Sequence, residues 1–282
     1  MKNPQEVINL IVDFIKCNLA ETNGAVVGLS GGIDSSLVAV LSWEALGKDK
    51  ITGLILPYFY NEDTADVEEL AFNLGINYKI VSITEPVNSI SRLLGLKDTI
   101  TEQGNLMARE RMAILYAYAN KYSKRVLGTT NLTEKLIGYG TKYGDEAADH
   151  EPIAGLLKKY IYELSYYWNT LDGKPKIPEQ ILTKAPSAGL KKGQTDEKDL
   201  KMTYAEIDKI LECVLINKLG GSLTKSCDKG YYRYDTTRYL NTLNQNMLKS
   251  ESSKKVVGMM LTSDHKRRGS NYPTIPVTLL KK

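Results

Sequence analysis

The residues with the most chemical content stand together at Gly28-Leu29-Ser30-Gly31-Gly32-Ile33-Asp34-Ser35-Ser36. Glycines let neighbouring backbone N–H groups turn toward one point, which makes a nest for an anion. The apolar run that follows, Leu37 to Leu46, reads as a helix whose N-terminus adds partial positive charge at the same place. Ser30, Ser35 and Ser36 supply hydroxyl donors. A phosphate-bearing ligand is what this arrangement suits. It is not a Walker A loop, which ends in Gly-Lys-Ser/Thr, because here Asp34 precedes the serines. A carboxylate in an anion nest repels phosphate unless a cation lies between them. Mg²⁺, which takes one or two carboxylates together with phosphate oxygens, removes the conflict. The bland alternative is a glycine turn with an N-cap serine and a solvated aspartate. The strand before the loop and the helix after it weigh against that.

These residues must be held by regular elements, and the chain supplies them in a strand–helix rhythm. Residues 4–20 place Val7, Leu10, Ile11, Phe14, Ile15 and Leu19 at helical spacing. AVVGLS (25–30) is a β-branched run that enters the glycine loop, and ITGLILP (51–57) reads as a second buried strand. A helix through 62–74, a third strand around 78–83, a long helix over 104–122 and a strand at RVLGTT (125–130) follow. This alternation implies an α/β fold with a doubly wound, mostly parallel sheet and helices on both faces. Ligands of such sheets sit beyond the C-terminal strand ends, where the strand order reverses. Both the glycine loop and GTTN (128–131) fall at such ends. After about residue 150 the rhythm fades: 152–168 reads as a helix, 170–200 as a loop, 203–216 as a helix, 217–235 as turns and 236–250 as a helix. One domain over 1–282 is expected, with a nucleotide-binding core in 1–150 and a mainly helical C-terminal extension in 151–282.

Composition narrows the class of function. With 42% hydrophobic and 25% charged residues, the chain can bury a sizeable core. Its net charge of +4 suits polyphosphate substrates but lacks the dense basic face of a nucleic-acid binder. Cys17, Cys213 and Cys227 form no CxxC pair, so neither a disulfide framework nor a zinc site is supported. Glu6 and Asp13 interrupt the first apolar stretch, which does not read as a secretion signal. No run of about 18 uncharged apolar residues suggests a membrane span. The expectation is a cytoplasmic enzyme with no nucleic acid or membrane as partner.

Five further blocks stand out: GNLMARERM (104–112), GTTNLTEKLIGYGTKYGDEAAD (128–149), PIAGLLK (152–158), KAPSAGLKKGQTDEKDL (184–200) and SDHKRR (263–268). The SGGxDS loop resembles that of the ATP pyrophosphatases, which split ATP between its α and β phosphates while a substrate oxygen becomes adenylated. With the five blocks in order, the chain resembles the ammonia-dependent NAD synthetases from its first helix to about Pro276. The resemblance implies a Rossmann-like fold of the ATP pyrophosphatase type. It also implies amidation of deamido-NAD to NAD with ATP and ammonia, through an acyl adenylate, releasing AMP and pyrophosphate. Gly28, Leu29, Ser30, Gly31, Gly32, Ile33, Asp34 and Ser35 would then hold ATP, together with Thr129, Lys158 and Ser187. Asp34 and Glu134 would hold Mg²⁺, and Arg109, Lys142, Asp149, His265 and Lys266 would hold deamido-NAD. Asp34, Glu134 and Lys158 are the implied catalytic residues, and a homodimer with substrate near the subunit boundary is the implied assembly.

Those residue types suit two polyanionic substrates that must share one pocket. Each also has a plainer reading. Arg109 and Arg111 are compatible with solvated helix charges, Lys142 and Asp145 with a surface pair worth at most about 1 kcal/mol, Glu134 with a helix cap, and His265 to Arg268 with a solvated charge run. Three features depart from the family pattern: a long 169–178 segment, Lys201 where glycine is usual, and an expanded 214–262. Segments 83–103 and 184–200 read as loops that close over the reactive adenylate. A glutamine-using form needs a further domain with a nucleophilic cysteine, so ammonia, from solution or from a separate partner, is the expected nitrogen source. The rivals are a tRNA-modifying pyrophosphatase and a nucleotide sensor without turnover.

Overall fold

The computed structural model describes residues 1–58, 63–190, 193–218, 250–263 and 266. Among them, strands Ala25–Gly28 (β1), Ile51–Ile55 (β2), Asn77–Ile80 (β3) and Arg125–Leu127 (β4) form a parallel sheet in the order β3-β2-β1-β4. The chain builds outward from β1 to β3 and then returns to set β4 on the other side of β1. The strand order therefore reverses between β1 and β4, and a crevice opens beyond their C-terminal ends. β3 and β4 stop at Ile80 and Leu127, short of the expected Ile83 and Thr130. The early end of β4 leaves Gly128, Thr129 and Thr130 as a connection at the mouth of that crevice.

Strand side chains alternate between faces, so a sheet covered on both sides needs apolar residues at successive positions. Ala25, Val27 and Leu127 pack into one core, and Val26, Leu54 and Val126 into a second. The first core contains helices Pro4–Leu19 (α1), Ile33–Leu46 (α2) and Asp63–Leu74 (α3). The second is closed by Thr84–Leu94 (α4) and Asn105–Tyr122 (α5). In α2 the run Leu37 to Leu41 is wholly buried, as a helix apolar on every side must be. It lies between the sheet and α1, which locks the glycine loop at its head to the centre of the fold.

The part after β4 is helical, as expected, with different bounds. Leu132–Ile137 (α6) follows the connection directly. Residues 152–157 turn instead of opening a helix, and Lys158–Thr170 (α7) begins only once Pro152 and Gly155 are passed. The expected loop 170–200 contains the short helices Glu179–Thr183 (α8) and Asp196–Leu200 (α9). Tyr204–Lys218 (α10) comes next. Segment 83–103, expected as a closing loop, is mostly the helix α4 followed by one π turn at Ile100–Gly104. Pro86 lies in the first turn of α4, where proline is compatible with a helix, and Ile83 and Val87 are buried. The turns expected over 217–235 and the helix expected over 236–250 lie outside the described residues except for 217–218, which end α10, and Ser250, which caps Glu251–Thr262 (α11).

Two left-handed positions make opposite predictions. Lys201 ends α9 at φ 50, a left-handed position that strains a residue with a side chain. Gly138 ends α6 at φ 69, and a Cβ added to it would lie 2.0 Å from Ser263 Cβ at the end of α11. Lys201→Gly is expected to stabilise the protein by about 0.5–1 kcal/mol, and Gly138→Ala to destabilise it by about 2 kcal/mol or more. Chemical denaturation measures both, and equal signs would contradict the reading.

Candidate active site

The glycine loop is braced by its own serines. Gly31 takes φ 77, which only glycine adopts without strain. Ser30 N donates to Ser35 Oγ at 3.2 Å, and Gly32 N donates to Ser30 Oγ at 3.2 Å. Ser35 Oγ donates to Gly32 O at 3.0 Å, so the turn is fixed before any ligand arrives. Ser36, expected as a donor toward a ligand, is fully buried and donates instead to Gly32 O at 2.9 Å.

Three elements deliver the charged centre. Asp34 comes from the first turn of α2, Glu134 from the first turn of α6, and Lys158 is the first residue of α7. The Lys158 ammonium donates to Asp34 Oδ2 and, at 3.2 Å, to Glu134 Oε1. Lys158 is 2% exposed, and both carboxylate side chains are 16% exposed. Burial pushes the Glu134 carboxyl up and Asp34 adds to the rise, while the Lys158 ammonium pulls it down and favours the carboxylate. Burial opposes the charge on Lys158, but Asp34 and Glu134 outweigh it and hold the ammonium above the ordinary lysine range. Neither carboxylate would tolerate this place without a cation beside it.

Asn131 completes the cluster. Fully buried, it accepts from Glu134 N at 3.0 Å and donates to Asp34 Oδ1 at 2.9 Å. Glu134 Oε2 in turn accepts from Asn131 N at 3.3 Å, which closes a capping box. Glu134 is thus both a helix cap and a member of the site. The sequence signal for Asn131 was Asn-Leu-Thr-Glu at the head of α6. Tyr204, which no local pattern marks, sets its ring 5.1 Å from the Lys158 ammonium. Its hydroxyl donates to Asp196 Oδ2 at 3.1 Å, and Asp196 Oδ1 accepts from Ala188 N at 2.8 Å. The exposed Ser187 belongs to the segment that this link ties toward Lys158.

The remaining expected residues divide. Half-buried Thr129 lies just past β4. Arg109 and Lys142 meet, because Arg109 Nε donates to Lys142 O at 3.3 Å. Arg111 is no solvated charge: it donates to Leu56 O at 3.0 Å, and burial lowers its pKa. Asp145 holds Thr141 N at 2.9 Å, while the Lys142 ammonium lies 5.1 Å from the Tyr143 ring. Asp149 accepts from Val126 N at 2.8 Å with Oδ2, beside the middle of β4 and not in the Asp34 cluster. Lys266 caps the end of α6 by donating to Gly138 O at 2.9 Å and Gly140 O at 2.8 Å. His265 lies outside the described residues.

Comparison with known proteins gives the family and the fold. The family model described as NAD synthase matches residues 7–270. An NH₃-dependent NAD⁺ synthetase of Pyrococcus furiosus is 44% identical over 209 residues, 74% of this chain and 78% of that protein. The solved NH₃-dependent NAD synthetase of Campylobacter jejuni, in complex with the nitrate ion, superimposes with a TM-score of 0.70 at 28% identity, covering 98% and 100% of the two chains. An NMN synthetase from Francisella tularensis gives a TM-score of 0.73 at 32% identity, covering 94% and 96%.

The stretch from α6 to α7 carries a second group of charges withdrawn from water. Lys135 pairs with Glu151, which is fully buried. Among the described residues, Glu146 Oε2, His150 Nδ1 and Glu151 Oε1 have no hydrogen-bond partner. Burial pushes Glu146 from 4.5 up to about 7, with Asp145 adding and Lys266 and Lys135 opposing. Between those values the folded chain holds a proton that the unfolded chain lacks, so this group's contribution to stability falls as pH rises. Glu146→Gln has no such ionisation. Its melting temperature relative to the native chain is expected to rise between about pH 5 and about pH 8. A difference independent of pH would contradict the assignment.

Proposed function

The chain belongs to the NAD synthase family, and we propose that its Asp34–Lys158–Glu134 cluster is where ATP is split for the reaction. The chain is a carbon–nitrogen ligase that makes NAD from deamido-NAD, ATP and ammonia. One observation carries the assignment of the site: a single ammonium lies between two carboxylates where the strand order reverses, beside a serine-braced glycine loop.

The donor set suits Mg²⁺, since Asp34 and Glu134 both already face one cation and a hard ion takes the rest of its oxygens from phosphates and water. When bound, Mg²⁺ neutralises phosphate charge and eases departure of pyrophosphate. The loop Gly28 to Ser35 and Thr129 hold the ATP phosphates, and Ser187 approaches through the Asp196–Tyr204 link. Arg109, Lys142, Lys266 and His265 receive the anionic dinucleotide, and Asp149 receives its neutral donors. A nicotinate oxygen then bonds to the α-phosphorus as the bond to pyrophosphate breaks. Ammonia next bonds to the acyl carbon, AMP leaves with that oxygen, and one proton is released as the amide forms. Alignment and charge neutralisation do the work, and no side chain acts as nucleophile.

A homodimer, a cytoplasmic setting and a single domain complete this reading. The single domain is supported by one core that includes residues from Val7 to Met260. Among the described residues no helix is long and apolar enough to cross a membrane. The similarity to an NMN synthetase raises a second reading, in which a nicotinate mononucleotide takes the place of the dinucleotide.

Incubation of the pure protein with ATP, Mg²⁺ and ammonium, and with either deamido-NAD or nicotinate mononucleotide, separates the two. Equal amounts of NAD and AMP are expected, and turnover of the mononucleotide alone would favour the second reading. In the same assay Asp34→Ala is expected to slow pyrophosphate release about 100-fold or more while keeping its far-ultraviolet circular dichroism. Undiminished release would remove Asp34 from the site.

A further inference from the structure

Asp208 is a buried carboxylate that the reaction outlined above leaves unused. It lies on α10, 1% exposed, with one oxygen engaged by α6 and the other by the head of α7. Oδ1 accepts from Thr133 Oγ1 at 2.5 Å, and Oδ2 accepts from Lys159 N at 2.7 Å. Thr133, fully buried in α6, accepts from Lys158 N at 2.9 Å. The Thr133 hydroxyl therefore donates to Asp208 and accepts from Lys158, and so joins the carboxylate to the backbone of the residue whose ammonium lies between Asp34 and Glu134.

The head of α7 needs this help. Its N-cap is Leu157, which has no side chain able to cap, so the amides of Lys158 and Lys159 are capped from two other helices. A charged acceptor also complements the positive end of α7. Ile207 and Leu211, on the same helix, are buried apolar residues, and a third apolar residue at 208 would fill the core without burying a charge. What a carboxylate adds here is direction: two short hydrogen bonds fix where α7 starts and how its first residue is turned.

We propose that Asp208 is a positioning residue for Lys158, acting through Thr133 to aim the ammonium at the phosphate site. The inference rests on the reading that Lys158 serves ATP, and Lys158→Met tests that premise by itself. If Lys158→Met keeps full turnover, the premise fails; if it abolishes turnover while Asp208 variants stay normal, only the positioning role fails.

Asp208→Asn keeps size but reverses one hydrogen bond, because an amide N–H then faces Thr133 Oγ1 or Lys159 N. Thr133→Val removes the intermediate hydroxyl. Leu211→Ala, also on α10, is the control that loosens the core without touching the chain of hydrogen bonds. kcat and KM for ATP are measured in the full-length protein, well below the melting temperature of every variant. Asp208→Asn and Thr133→Val are each expected to lower kcat/KM for ATP about tenfold or more. The double variant is expected to be no worse than the poorer single one. Leu211→Ala is expected to stay within about twofold of the native chain despite an equal or larger loss of melting temperature. Normal kcat/KM in Asp208→Asn and Thr133→Val, or losses that follow melting temperature across all variants including Leu211→Ala, would overturn the proposal. Should Asp208→Asn not fold, Thr133→Val against Leu211→Ala decides the matter by the same comparison.

Discussion

Two carboxylates and one ammonium, nearly withdrawn from water, set the terms for the whole structure. Asp34 and Glu134 are not stable side by side in that position unless a cation neutralises them, and Lys158 provides it. The three residues come from the heads of three helices, so each helix must begin at a defined place. The glycine turn sets the start of α2, the capping box sets α6, and buried partners from α6 and α10 set α7. The scaffold is, in this sense, a device for fixing three helix starts around one point. Reactions that proceed by alignment and charge neutralisation depend on that kind of rigidity.

The sheet explains why the point lies where it does. With β1 in the centre and the strand order reversing beside it, the connections after β1 and β4 diverge above the same crevice. Both are short, and both run straight into helices that carry an acidic residue in the first turn. The second half of the chain then covers one face and returns α7, α10 and α11 to the same neighbourhood. Lys266 and Ser263 reach the end of α6, and Tyr204 reaches Lys158.

Much of this was legible in the sequence. Apolar runs mark four strands, the glycine loop marks the crevice and carries Asp34, and the family resemblance adds Glu134 and Lys158, which the fold brings together with it. What stayed hidden had physical causes. Asn131, Thr133 and Asp208 are polar residues whose value lies in partners 97, 25 and 49 residues away, and no local pattern shows such distances. Ser36 and Arg111 looked available but are held by backbone carbonyls. α4 lies in a segment that reads as a loop; its Pro86 is compatible with a helix because it falls in the first turn. Asp149 accepts from the backbone of β4 with Oδ2, a partner 23 residues away that no local pattern shows.

The central electrostatic claim is open to one direct measurement, a double-mutant cycle on folding stability with Asp34→Asn, Lys158→Met and the pair, in metal-free buffer. A buried ion pair predicts strong coupling, with the double variant less damaged than the sum of the singles by about 1–3 kcal/mol. Additivity within about 0.5 kcal/mol would mean that Lys158 does not neutralise Asp34, and the site as described here would not stand.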